Sequence, residues 1–455
     1  MMRGYTDIKD AAKVLEMRVP DLLVLAPNND PFYAGQPAQE VKARWFAALW
    51  SRFGYTTGVH LRRVHYQLVS QETPVLDVDG KPYENTIRCW QNLNIAGKAA
   101  RYLGLVAADA FEDHRNPDPQ LFVEYESEPE PDFTLEWPTD WQLPRINTDL
   151  GLHVDLGMPY VSVDGYEYRD CDQPYHLELW IEKSTMNDVL VPVCRRYGIN
   201  LVTSLGFQSI TSAVNLINRI DQSGKAARVF YISDFDPAGD FMPQSVARQI
   251  EYWIEYYGMS LDIKLDPLAL TREQVIQWRL PKIPIKKSDR RRGNFESAYG
   301  TGAVELDALE SLHPGELEKL IIDAVKPYRD DALESDLYST EITVADQLKS
   351  AWRNATDDDR KQLRLIEASI QDVYASYSER LLALKAAMDD ELAPIQQDVD
   401  SLRHDIENKI EDFDADLPAR PESELDEPQD NEWLYDSDRD YFDQLDVYKA
   451  RRGAA

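Results

Sequence analysis

From His176 onward, apolar runs of strand length alternate with segments of helical periodicity. HLELWI, NLVTSL and ARVFYISD read as strands, separated by helical stretches near 185–197 and 208–220; a further helix at about 241–257 precedes the strand-like SLDIKL. Such alternation predicts a parallel sheet covered on both faces by helices. Upstream, Val41, Trp45, Ala48, Leu49 and Phe53 recur at helical spacing, and a second amphipathic stretch begins near Val59. A turn at Asp79-Gly80-Lys81 leads to a third helix, Tyr83 to Leu103, which ends at Gly104 and is followed by the short apolar LVAADAF. Helices closing on a short β segment predict a winged-helix module over 36–116. Downstream, Ile366, Ile370, Val373, Tyr377, Leu381, Leu384, Met388, Leu392, Ile395, Val399, Leu402, Ile406 and Ile410 keep three- and four-residue spacing. They predict a helical hairpin or coiled coil over 326–413, broken at Pro394.

Between and beyond these patterns lie an N-terminal extension (1–35) and a Pro-, Asp- and Glu-rich linker (117–170), in which Trp137 and Trp141 suggest partial packing. The sheet domain spans 171–325, and an acidic tail (414–455) is expected to be flexible. Composition alters this picture mainly through charge. The 455 residues carry 81 acids against 49 Lys and Arg, a formal charge of −32, which by itself speaks against nucleic acid. The charge is uneven, however. Fifteen acids against Arg420 and Arg439 fall between Glu411 and Asp446, while 41–70 holds Lys42, Arg44, Arg52, Arg62 and Arg63 without an acid, and 279–292 reads RLPKIPIKKSDRRR. The tail thus hides two basic patches. The absence of a long apolar run or an N-terminal signal core predicts a cytoplasmic protein with no membrane span. Cys89, Cys171 and Cys194 are too scattered for a disulfide framework or a CxxC metal site.

Ligands of open α/β sheets gather at the carboxyl edge of the strands. There HLELWI runs into Glu182-Lys183, and VFYIS into Asp234-Phe235-Asp236-Pro237-Ala238-Gly239-Asp240. If the strands are neighbours, Glu182, Asp234 and Asp236 converge as oxygen ligands for a hard cation, magnesium or alternatively manganese, which would neutralise a phosphodiester. Asp and Gly after a strand also serve as ordinary turn and cap residues. Glu305 and Asp307 stand within reach of the same edge if their segment folds back to it, but acids at the start of a helix are common.

The segments LELWIEKST, LVTSLGFQSIT and VFYISDFDPAG resemble the Toprim domain, and most nearly that of the topoisomerase VI A subunit, the meiotic double-strand-break transesterases and their short bacterial and phage homologues. The resemblance covers about 36–320. It implies an α/β plus α protein: a winged-helix domain, a Toprim (Rossmann-like) domain, and then the helical hairpin. It further implies Glu182 as general acid/base or metal ligand, Asp234 and Asp236 as metal ligands, and Gly206 at an inter-strand turn. In that family a tyrosine ending a Leu-Arg-x-x-Tyr-Tyr helix attacks DNA. Here Leu61-Arg62-Arg63-Val64-His65-Tyr66 puts Tyr66 at that position, with His65 replacing the preceding aromatic.

At about 100° per residue, Leu61, Val64, His65 and Leu68 share one face, and Tyr66 projects from the side bearing Arg62 and Arg63. Loss of the Tyr66 proton would be helped by these cations and by His65. Lys98, Arg101, Lys183, Lys286, Lys287, Arg290, Arg291 and Arg292 are further candidates for DNA contact. No phosphate-binding GxxxxGK[ST] is present, so the resemblance implies a separate ATPase partner if strand passage occurs. The expected function is magnesium-dependent cleavage of double-stranded DNA by a homodimer through tyrosine transesterification. The alternatives are a Toprim nuclease that hydrolyses with metal-activated water, or a non-catalytic DNA-binding scaffold.

Overall fold

In the computed structural model the described residues are 2, 4–112, 116–125, 129–143, 156–204, 209–287, 289, 291–377, 385–423, 425–428 and 432–453. Their strands are β1 (Asp132–Glu136), β2 (Tyr160–Asp164), β3 (Tyr175–Ile181), β4 (Asn200–Thr203), β5 (Ala226–Ile232), β6 (Ile263–Ala269) and β7 (Tyr435–Asp436). The chain divides into two compact units. One combines residues 1–126, 173–330 and 425–455, and the other 127–172 and 331–424.

The first unit is built on a five-stranded sheet of order β4-β3-β5-β6-β7. The first four strands are parallel, as the β/α alternation predicted, and β7 is antiparallel at the edge. Residues of β3, β4 and β5 are buried on both faces, which is why these strands read as continuous apolar runs rather than alternating ones. Helices Asn187–Arg196, Ile210–Ser223 and Met242–Tyr257 make the crossovers, within a few residues of the expected spans. The last two end on Gly224 and Gly258, whose positive φ provides the left-handed cap. β6 begins three residues later than SLDIKL suggested and runs on through Pro267.

Ahead of the sheet, helices Pro37–Arg52, Leu61–Val69 and Ile87–Tyr102 pack around Phe46, Val64, Leu68, Leu93 and Phe111. β structure in this helical part is limited, among the described residues, to the isolated bridges Val59–Phe111 and Leu76–Pro82. The N-terminal extension is folded as well. Its helix Tyr5–Val14 and the turn Pro31–Tyr33 contribute Ile8 and Phe32 to the core that contains Trp253.

Three expectations of chain organisation are corrected. Of the expected flexible tail, residues 425–428 and 432–453 are folded: they supply β7 and helix Tyr441–Gly453, with Trp433, Leu434, Tyr435, Leu445 and Tyr448 buried. Their charges find fixed partners. Glu427 pairs with Arg228 at 3.1 Å and Lys264 at 2.6 Å, and Asp266 receives Arg451 at 2.8 Å. Residues 117–170 are not simply a linker, since β1 and β2 pair antiparallel within the second unit. There Trp141, Tyr166 and Val161 pack with Val344, Trp352, Ile370 and Ile406 from helices Leu333–Ala355, Asp357–Tyr377 and Lys385–Asp412. Finally, Pro394 lies inside Lys385–Asp412 and does not end a helix. No described helix is long and apolar enough to cross a membrane.

Candidate metal centre and basic helix

The sheet order makes β3 and β5 neighbours with β4 on the other side of β3, so the direction of winding reverses between β3 and β5. Crossovers leave on opposite faces there, opening a crevice at the carboxyl ends of those two strands. Glu182 and Lys183 follow β3 directly, and Asp234 follows β5 by two residues. A third segment reaches the same edge. Phe235 and Val304 exchange both backbone hydrogen bonds at 2.9 Å, and Leu306 N donates to Asp234 Oδ1 at 2.8 Å. This bridge carries Glu305 and Asp307 to Asp234, and one carboxylate oxygen from each of the three lies within 4.8 Å of the others.

Asp234, Glu305 and Asp307 therefore form the acidic triad able to hold a cation. The expected set was Glu182, Asp234 and Asp236. Asp236 Oδ1 is committed to the turn, accepting from Ala238 N at 2.8 Å and Gly239 N at 2.7 Å. Gly239 is required at this point, because a Cβ there would run into the carbonyl oxygen of Asp234. Glu182 stays close enough to feel its neighbours. Burial, and then the charges of Asp234 and Asp236, push its carboxyl up to about 7. Its Oε2 is buried with no hydrogen-bond partner. Burial likewise raises Asp234, opposed by Lys183 and the Leu306 amide.

Lys183, expected as a DNA contact, has its ammonium among these acids. It lies 2.8 Å from Asp234, 3.4 Å from Asp307 and in direct contact with Glu305. An all-oxygen donor set with one buried oxygen left unsatisfied suits a hard divalent ion. The sequence signal for Glu305 and Asp307 was weak because two acids flanking a leucine look like any helix start. Only the Phe235–Val304 bridge gives them a shared address.

Helix Leu61–Val69 has the faces its periodicity predicted. Val64, His65 and Leu68 are buried, whereas Arg62, Arg63 and Tyr66 are exposed, Tyr66 at 57%. The Tyr66 ring meets His65 edge-on, with centroids 5.3 Å apart. His65 is not available as its base, since Nδ1 is 2.7 Å from the Tyr83 hydroxyl and Nε2 3.1 Å from Asn85 Oδ1. Among the described residues, no hydrogen bond or ion pair joins Tyr66 to the acidic edge of the same chain.

Arg101 is buried rather than facing solvent. It donates to the Ala108 carbonyl at 3.1 Å and to Thr211 Oγ1 at 3.3 Å, and its guanidinium stacks over Phe111. It ties the helical part to the sheet and is not free for a phosphate. Lys98 donates to Asn29 Oδ1 at 3.0 Å, and burial lowers its pKa. In the second basic patch Lys286 and Lys287 are exposed, but Arg291 pairs with Asp289 at 3.1 Å and Arg292 with Glu296 at 2.9 Å. Arg290 and Gly206 lie outside the described residues. Compared with known proteins, the chain matches no protein-family model and no curated protein.

Proposed function

We propose that this protein is a metal-dependent DNA-cleaving enzyme of the topoisomerase VI A-subunit type, with a winged-helix-like and a Toprim-like part. The observation that carries this reading is the convergence of Asp234, Glu305 and Asp307, with Glu182 beside them, at the crevice between β3 and β5. Magnesium or manganese held there would neutralise charge on the non-bridging oxygens of a phosphodiester. Glu182, with its carboxyl near neutrality, is suited to hand a proton to or take one from the reacting oxygens. The Tyr66 hydroxyl attacks phosphorus, forming a phosphotyrosyl bond as the sugar–oxygen bond to phosphorus breaks. The sugar oxygen leaves with a proton, and reversal reseals the strand.

Arg62 and Arg63, one helical turn before Tyr66, hold the backbone on its exposed face. In this reading the protein acts as a homodimer, with Tyr66 of one protomer serving the acids of the other. A separate ATPase subunit would drive strand passage.

A second reading is favoured by the His65 network, which removes the nearest base from Tyr66. In it, the acidic edge alone directs hydrolysis by a metal-activated water. The test is incubation of supercoiled DNA with Mg²⁺ or Mn²⁺ and wild type, Tyr66→Phe or Glu182→Gln. Covalent protein–DNA adducts that disappear in Tyr66→Phe support the transesterase. Cleavage surviving Tyr66→Phe and lost in Glu182→Gln supports the nuclease, and absence of cleavage by all three forms leaves a DNA-binding scaffold.

A further inference from the structure

The acidic edge brings three carboxylates to a single ammonium, with a fourth, Glu182, beside them. Lys183 has three N–H donors, and Asp234, Glu305 and Asp307 account for all three. Glu182, the adjacent residue, is left with a buried oxygen that nothing satisfies. One ammonium thus leaves a carboxylate oxygen at this edge without a partner, which a cation of higher charge would take as a further ligand.

The Lys183 nitrogen is 2.8 Å from Asp234, 3.4 Å from Asp307 and in direct contact with Glu305, so it fills the space between the three acids that a metal ion would take. An ammonium cannot then share the same three oxygens with a dication, because like charges a few ångströms apart repel in this partly buried crevice.

We propose that Lys183 is a resident counter-cation: its ammonium neutralises Asp234, Glu305 and Asp307 before metal arrives, competes with the divalent ion, and is displaced when that ion binds. This rests on the metal-dependent reading above and deepens it. Displacement couples two events, since the ammonium freed by the metal emerges at the end of β3, beside the crevice where the phosphodiester would lie. Lys183 then holds the empty site neutral and, once released, acts as a phosphate contact.

The test uses the full-length protein without DNA and Mn²⁺ titrated by calorimetry. Lys183→Met keeps the aliphatic bulk and removes the charge, and it should bind Mn²⁺ on the order of tenfold more tightly than wild type. Asp234→Asn should bind far more weakly than either. Equal or weaker binding by Lys183→Met, with wild-type binding still lost in Asp234→Asn, overturns the role of Lys183 and leaves the metal reading standing. Failure of both wild type and Lys183→Met to bind Mn²⁺ overturns the metal reading, and this inference with it. A second measurement needs no variant: acylation of lysine amines in wild type, read by mass spectrometry. Labelling of Lys183 should rise several-fold on adding Mn²⁺ relative to the exposed Lys286 and Lys287, and unchanged labelling of Lys183 in protein that binds Mn²⁺ overturns the displacement.

Discussion

Two glutamates on one strand and its extension have opposite acidities, and the difference lies in what surrounds them. Glu178, fully buried within β3, would be driven up by burial alone. Arg219, paired at 2.8 Å, and His176, also at 2.8 Å, instead hold it down at about 2. Four residues later Glu182 is raised to about 7, because burial and the Asp234 and Asp236 charges outweigh the opposing Lys183 charge. The signs of their pH effects follow. Glu178, with its folded pKa depressed, contributes stability above its ordinary value of about 4.5, which is lost as pH falls towards 2. Glu182, with its folded pKa raised, holds a proton that the unfolded chain releases near 4.5, so its contribution is present at low pH and lost as pH rises through 7. Metal-free Glu182→Gln should therefore lose less stability than wild type between pH 5 and 8 in denaturant titrations. In wild type, Mn²⁺ binding should tighten as pH rises through 7, because the cation must displace that proton. Arg219→Ala, which strands Glu178 as a buried charge, should cost about 3–5 kcal/mol of unfolding free energy. Gly239→Ala should reduce both stability and metal affinity, since a methyl group there displaces the turn that carries Asp234 and Asp236.

At the scale of elements, the strands and crossovers of the sheet were legible because burial on both faces writes an unmistakable apolar run. The C-terminal segment was not, because its charge dominated the reading. Yet Trp433-Leu434-Tyr435 is a short apolar run leading into β7, and Tyr441, Leu445 and Tyr448 fall at i, i+4 and i+7, one face of a helix. Glu427, just ahead of these anchors, pairs with Arg228 and Lys264, and Asp436, among them, lies 3.9 Å from Lys264. Truncation after residue 424 should therefore yield an insoluble or grossly destabilised protein rather than one merely freed of an acidic tail, as read by expression and thermal unfolding. The second unit rests on aromatic packing of a similar kind. Trp352 is buried, donates to the Pro159 carbonyl at 2.9 Å and meets Phe413 edge-on. Trp352→Ala should cost about 3–5 kcal/mol in that unit, measured by denaturant unfolding.

For the whole molecule, the −32 charge is a sum over surfaces that do different things. Part of it is spent inside the fold on Arg228, Lys264 and Arg248, and part is concentrated at the acidic edge, while Arg62, Arg63 and Tyr66 remain exposed on one helix face. DNA affinity, where it occurs, should fall steeply with salt. Replacing Arg62 and Arg63 by Ala should lower the slope of log affinity against log salt by about 2, as each phosphate contact accounts for roughly 0.9. An unchanged slope in a filter-binding or anisotropy titration would remove that face from the DNA surface.

The sequence by itself determined the parallel sheet, its crossover helices and the two faces of Leu61–Val69, because periodicity is a local property set by which side of an element is buried. It also marked Glu182 and Asp234, since residues at strand ends are read from the strands themselves. Only the tertiary structure decided that Glu305 and Asp307 join Asp234, that Asp236 turns to its own loop, that Arg101 is buried and that the acidic C-terminus completes the sheet. All but the Asp236 turn depend on contacts between segments tens to hundreds of residues apart, and no pattern within one segment encodes its distant partner.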